Sequence, residues 1–261
     1  MNAVQVAKKS LDVVALESKV KAMYRSVALE PTGDFHFEMG RAMAERLGYS
    51  PTELDMIPSG AIASFAGVGY YFDLAKLRPG EKVVDLGSGS GMDAFVAALK
   101  VGPAGRVVGI DMTDEQLAKA EQLRKAAGVA HVEYRKGYIQ KTGLADASFD
   151  LVISNGVINL APDKSEVFRE AARLLRPGGR LALSDIVTET RLPEGITCDS
   201  TLWAACIGGA MRVDDYLGSI RAEGLRVEEV RDNRQYRFIS KNAQSAAAQF
   251  GVKSISLVAV K

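Results

Sequence analysis

Apolar and polar residues follow one rhythm over the middle of the chain and another at its ends. From residue 82, short apolar runs recur at intervals, each followed by a stretch of helical period. Residues 82–86 (KVVDL), 106–110 (RVVGI), 131–135 (HVEYR), 149–154 (FDLVIS) and 180–184 (RLALS) read as strands. Residues 93–101, 114–127 and 165–175 read as the helices between them. Thr113 is the expected N-cap of the second, with Gln116 at the capping-box position. Pro177-Gly178-Gly179 closes the third. Strand and helix in alternation predict a parallel sheet covered on both faces.

The ends differ. Over residues 1–30, Val14, Leu16, Val20 and Met23 are expected to share one helical face. Residues 33–66 read as short helices broken by Gly48, Pro51, Pro58 and Gly60, and residues 70–78 lead into a Pro79-Gly80 turn. Residues 188–223 interrupt the alternation with a mainly helical insert. Residues 226–231 and 254–260 are β-branched enough to be final strands, with no helix expected between them and the last one antiparallel. The expected fold is α/β: a Rossmann-like, seven-stranded, mostly parallel sheet. Its expected divisions are an N-terminal helical extension or lid over residues 1–69, a core over 70–187, a helical cap insert over 188–223, and core-completing strands over 224–261.

Composition narrows the class. A chain of 261 residues that is 47% hydrophobic and 25% charged can bury a core without metal or disulfide help. A formal net charge of +1, with basic residues scattered among acids, gives no case for nucleic acid or an anionic membrane as partner. The two cysteines, Cys198 and Cys206, form no C-x-x-C pair, so no structural zinc site is expected. Lys8, Lys9, Asp12, Glu17 and Lys19 break up the N-terminal apolar residues, unlike a signal peptide, and no run suits a transmembrane helix. The expected location is the cytoplasm.

Candidate chemistry concentrates in residues 83–91, VVDLGSGSG, between a strand and a helix. Gly87, Gly89 and Gly91 permit a tight turn and close approach of a ligand, delivered to a helix N-terminus. The spacing is G-x-G-x-G rather than the dinucleotide G-x-G-x-x-G. Asp85 stands two residues before the first glycine. Asp111 ends the second strand, where a carboxylate can accept both hydroxyls of a ribose. Gly137-Tyr138 follows the third strand, a place for adenine to stack or meet an amide. All lie at the carboxyl ends of parallel strands.

The segments VVDLGSGSG, VVGIDMT, FDLVISNGVINL and LLRPGGRLALSDI resemble class I S-adenosylmethionine (SAM)-dependent methyltransferases, over about residues 60–230. More narrowly, ISN-x-VINL and CI-GGA are similar to the arsenite methyltransferase branch. The resemblance implies SAM as cofactor. It implies that Asp85, Gly87, Ser88 and Gly89 surround the methionine end, and that Asp111 and Met112 hold ribose and adenine. Gly137, Tyr138 and Ile139 then border adenine, and Asn155 faces the methyl-transfer side. Arsenite enzymes hold As(III) with cysteine thiolates. Of the cysteine positions that the branch implies, one is Gly156 in this chain, one is Cys206, and the N-terminal ones have no counterpart.

Three residues are candidates for the acceptor side. His36, in Phe35-His36-Phe37, is a candidate base. Tyr70, in Tyr70-Tyr71-Phe72, is a candidate wall or base. Cys206 is a candidate substrate contact. No metal is expected. The expected function is methylation of a small-molecule acceptor. Its alternatives are an arsenite methyltransferase with a reduced cysteine set, a non-catalytic SAM-binding protein, and a nicotinamide-dependent oxidoreductase, against which the missing dinucleotide glycine counts.

Overall fold

The computed structural model describes residues 11–204 and 206–261; the first ten residues of the expected N-terminal helix lie outside them. Among the described residues one sheet contains β1 (Lys82–Leu86), β2 (Arg106–Asp111), β3 (Val132–Lys136), β4 (Phe149–Asn155), β5 (Leu175–Thr188), β6 (Met211–Arg212), β7 (Arg226–Asp232) and β8 (Lys253–Val260). Their order is β3-β2-β1-β4-β5-β8-β7, with the two-residue β6 beside β5. β8 runs antiparallel to both β5 and β7, and the remaining pairs are parallel. The Rossmann-like α/β fold with an antiparallel last strand is therefore present, with β6 added.

Alternate residues of the strands feed two cores. Val83, Val107, Leu151 and Ile153 pack on one face with Phe95 and Val96 of α6 (Met92–Val101). Val84, Val108, Val152 and Leu183 pack on the other, with Val167 and Phe168 of α8 (Lys164–Leu174) and Ile220 of α11 (Val213–Ala222). Each such side chain contributes about 1.5–3 kcal/mol by leaving water. Burial on both faces explains why these strands read as continuous apolar runs.

The N-terminal region supplies α1 (Val13–Leu29), α2 (Arg41–Leu47), α3 (Pro51–Asp55), α4 (Ser59–Ala63) and α5 (Phe72–Ala75). Asp12 caps α1 by accepting from the Ala15 amide at 2.9 Å. Leu16 and Val20 of α1 bury themselves against Leu160 and Trp203. Val14 does not share their face: it is 81% exposed, because residues two apart on a helix point about 200° apart. Beyond β5, α9 (Glu194–Thr197) and α10 (Ser200–Ala204) precede β6, and α10 packs against α1.

Three further expectations are corrected. Thr113 occupies the N-cap of α7 (Asp114–Ala126), but its side chain makes no capping bond. Its amide is bound to Asp111, and Gln116 turns away to Ser90 and to the Tyr24 carbonyl. β5 begins at Leu175, which pairs with Phe149 of β4, and continues to Thr188: Arg180–Ser184 pair with β4, Arg180–Val187 with β8, and Val187 and Thr188 with β6. A helix, α12 (Lys241–Phe250), lies between β7 and β8, capped by Ser240 accepting from the Ala243 amide. Ala243 and Ala246 are buried, and with Ala247 and Phe250 they pack against Ile186 and Val252.

Candidate active site

Strand order reverses between β1 and β4, which opens a crevice at the carboxyl ends of the strands. The turn after β1 holds Gly87 and Gly91 at φ 79° and 94°, in the left-handed region. A Cβ at position 87 would lie 2.4 Å from Val157 Cγ2, so only glycine lets the turn approach the segment after β4. The amides of Gly87 and Ser88 donate to the Ile110 carbonyl at 2.8 and 3.0 Å. The next amide, Gly89, donates to Asp111 Oδ2 at 2.9 Å, and Thr113 donates to Oδ1 at 2.8 Å. Turn, β2 terminus and α7 entry are thereby fixed to one carboxylate. Burial raises Asp111 above the usual carboxylate range, and these amide donors oppose the rise.

Two cavities meet at this turn. The larger, about 880 Å³ including its open mouth, is lined by Gly87, Gly89, Asp111, Met112, Gly137, Tyr138 and Ile139, and covered by α1 through Leu16, Val20 and Tyr24. The smaller, about 490 Å³, is lined by Asp85, Gly87, Ser88, Gly89, Asp93 and Asn155, together with Gly67. Tyr24, Gly87, Gly89 and Val157 belong to both walls. All ten residues expected around a cofactor therefore lie on this pair of cavities.

The smaller cavity is strongly acidic. Asp93 accepts from Tyr49 and Tyr71 hydroxyls at 2.6 Å each and from Asn155 Nδ2 at 3.0 Å. Asn155 also donates to the Gly69 carbonyl at 3.0 Å and accepts from the Val68 amide at 2.8 Å. Its side chain thus ties the 67–69 segment to the end of β4. Asp85 Oδ2 and Ser88 Oγ are buried with no hydrogen-bond partner among the described residues. Such atoms point to a polar ligand at the turn.

The structure does not bring His36, Tyr70 or Cys206 to either cavity wall. His36 packs edge-on against Phe37 at 4.7 Å, and Phe37 reaches Tyr24 at 6.3 Å. Tyr70 packs against Tyr49 at 4.9 Å, and burial pushes its hydroxyl up to about 12. Cys206 has φ 61°; its amide donates to the Trp203 carbonyl at 2.8 Å and its carbonyl accepts from Asn159 at 2.9 Å. Burial, with the Asp185 charge, pushes the Cys206 thiol up to about 12, so it stays protonated. Cys198 and Cys206 form no disulfide, and no cluster of three metal-ligating side chains occurs among the described residues. Sequence reasoning missed Tyr24, Val157 and Asp93. Asp93 had a signal, two residues beyond the last glycine of the turn, and so did Val157, within the ISN-x-VINL segment two residues after Asn155; Tyr24 had none, since it reaches the site through tertiary packing.

Residues 77–244 match the family model described as a methyltransferase domain. The chain belongs to the methyltransferase family. The methyltransferase is 41% identical over 187 residues to the arsenite methyltransferase of Halobacterium salinarum, covering 72% of this chain and 48% of that protein. It is 46% identical over 156 residues to that of Aquipseudomonas alcaligenes, covering 57% and 45%. It spans about half the length of these curated relatives. Its fold is similar to the crystal structure of an arsenic(III) S-adenosylmethionine methyltransferase from Chlamydomonas reinhardtii, with TM-score 0.62 and 32% identity, covering 85% of this chain and 74% of that one. These matches place the chain in class I, close to the arsenite branch, and S-adenosylmethionine is the cofactor named for the algal enzyme. The residues fit that cofactor: an acid at the end of β2, a glycine turn that lets a ligand approach the backbone, and a buried Asp85 whose Oδ2 has no partner among the described residues.

Proposed function

We propose that this chain binds SAM across the two cavities and transfers its methyl group to a small organic acceptor. The observation that carries the reading is the continuity of the cavities through Gly87 and Gly89, with Asp111 at one end and Asp85 at the other. The Asp111 carboxylate would accept the ribose hydroxyls, and Met112, Tyr138 and Ile139 would flank the adenine. Asp85 would face the α-ammonium. Asn155 acts as a positioning residue, since its amide is committed to Val68, Gly69 and Asp93.

The sulfonium of SAM supplies an electrophilic methyl group, so the protein's task is proximity, alignment and exclusion of water. α1 serves exclusion: Tyr138 donates to Glu17 at 2.7 Å, and Gln116 Nε2 donates to the Tyr24 carbonyl at 2.9 Å, drawing the helix over the cleft. Tyr24, on both cavity walls, is the group best placed to face the acceptor. Burial raises its hydroxyl well above the ordinary range, so it acts as a neutral hydrogen-bonding group.

Arsenite methylation is a second reading, favoured by the relatives' similarity. Two features weigh against it. Gly156 stands where the branch implies a cysteine, at φ 73°, and a Cβ there would lie 3.1 Å from Val68 Cγ1. Cys206 lies on neither cavity wall, and Cys198 is the only other cysteine in the sequence, so soft thiolate ligands are too few. Calorimetric titration with SAM, followed by measurement of S-adenosylhomocysteine formed with a panel of small nucleophiles, tests the proposal. Binding of SAM with turnover by an organic acceptor is the expected result. Absence of SAM binding would remove the cofactor reading.

A further inference from the structure

Asp85 and Asp93 line the same cavity, but their surroundings differ sharply. Burial raises Asp93 above the ordinary carboxylate range, and three donors oppose that rise. Tyr49, Tyr71 and Asn155 all donate to it. Asn155 Nδ2 also donates to the Tyr49 hydroxyl oxygen at 3.1 Å, which directs the Tyr49 proton onto Asp93. Asp85, two per cent exposed, has an Oδ2 with no partner among the described residues.

Among the described residues, the groups facing Asp85 offer no compensating charge. α6 presents Asp93, and its Ala94 amide donates to Asp85. β2 presents Asp111. β3 presents Tyr134, and the N-terminal region presents Tyr49 and Tyr71; these phenols sense the Asp85 charge and are themselves pushed upward. Two neighbouring buried carboxylates cannot both ionise cheaply without a cation. Desolvation, reinforced by Asp93 and Asp111, accordingly raises Asp85 well above the ordinary carboxylate range.

We propose that Asp85 carries a proton in the free protein and surrenders it when SAM binds, so that cofactor binding is coupled to release of one proton. This rests on the cofactor reading above. The α-ammonium arrives already protonated and meets Oδ2. The Asp85 O–H bond breaks, its proton passes to solvent, and the carboxylate pairs with the ammonium. Asp93 keeps its three donors and stays ionised throughout. Asp85 thereby discriminates for a cationic amino acid end, since a ligand lacking the ammonium leaves the proton in place and gains no ion pair.

The test is calorimetry on the full chain at pH 6.5, where an α-amino group of pKa about 7.7–8.0 is already protonated. Binding enthalpies of SAM and of S-adenosylhomocysteine are measured in buffers of different ionisation enthalpy. The slope of one against the other is negative when protons are released, and its magnitude is their number. The expected slope is about one proton for both ligands, since both carry the ammonium, and near zero for Asp85→Asn. A slope of zero in the wild type overturns the proposal while leaving the cofactor reading intact. So does a slope seen with SAM only, or one retained in Asp85→Asn. Failure of the wild type to bind either ligand overturns the cofactor reading and this inference with it.

Discussion

The Gly89 amide donates to Asp111 Oδ2 at 2.9 Å, joining the turn after β1 to the end of β2. The same carboxylate accepts the Thr113 amide, so loss of Asp111 frees two amides of the site and would also remove the proposed ribose contact. Asp111→Ala should weaken SAM binding by about 1.5–3 kcal/mol, the range of hydrogen bonds to a charged group. Calorimetry reads this directly. Unchanged affinity would place the ribose elsewhere.

Gly156 combines a left-handed backbone with Val68 packed against the position a Cβ would take. Gly156→Cys should therefore cost roughly 1–2 kcal/mol in backbone conformation alone. A lower melting temperature and no gain of As(III) methylation in excess thiol are expected. A stable variant with new arsenite activity would show that the missing cysteine alone separates this chain from its relatives.

Trp203 is the single tryptophan, buried against Leu16, Val20 and Leu160. It therefore reports on the seat of α1 over the larger cavity. Leu16→Ala removes a side chain that is 2% exposed, a change that costs about 2–5 kcal/mol in a well-packed core. Because the main cores are separate from this cluster, the loss should fall on α1. Red-shifted Trp203 emission, faster amide exchange in α1 and weaker SAM binding are expected, with exchange in β1 and β4 unchanged. Loss of protection throughout the sheet would instead make α1 part of the global folding unit.

Lys164 is buried beneath Trp203, its ammonium 4.8 Å from the ring, and desolvation lowers it from 10.5 to about 8. The folded state gives up this proton before the unfolded state does. Between about pH 8 and 10.5 the unfolded chain binds more protons, so stability rises with pH through that window. The penalty below pH 8 is on the order of 2–4 kcal/mol, offset in part by about 0.5–2 kcal/mol from the cation–π contact. Lys164→Met should raise the melting temperature at pH 7 and flatten the alkaline rise. Equal slopes in both proteins would show that Lys164 titrates normally.

The parts of the site that were legible in sequence are contiguous ones. Asp85, the glycine turn and Asp111 each sit at the end of an apolar strand run, and local spacing alone locates them at one sheet edge. The partners of Asp93 were not legible, because Tyr71 and Tyr49 lie 22 and 44 residues away and meet it only through packing of the N-terminal helices. Thr113 and Gln116 followed a local capping rule that tertiary bonds to Asp111, Ser90 and Tyr24 overrode. α12 escaped notice because its apolar face, Ala243, Ala246, Ala247 and Phe250 at i, i+3, i+4 and i+7, is mostly alanine and gives a weak signal. His36 and Tyr70 were singled out by residue chemistry and Cys206 by the CI-GGA segment, and neither ground says which cavity a side chain reaches.

The central claim is methyl transfer from SAM to a small organic acceptor, and following the methyl group tests it most directly. Methyl-labelled SAM is incubated with the wild type and with Cys206→Ser, against a panel of organic nucleophiles and, separately, against As(III) with excess thiol. The expected result is label on an organic acceptor in both proteins, with stoichiometric S-adenosylhomocysteine and none on arsenic. Robust labelling of arsenic by the wild type, lost in Cys206→Ser, would contradict the account.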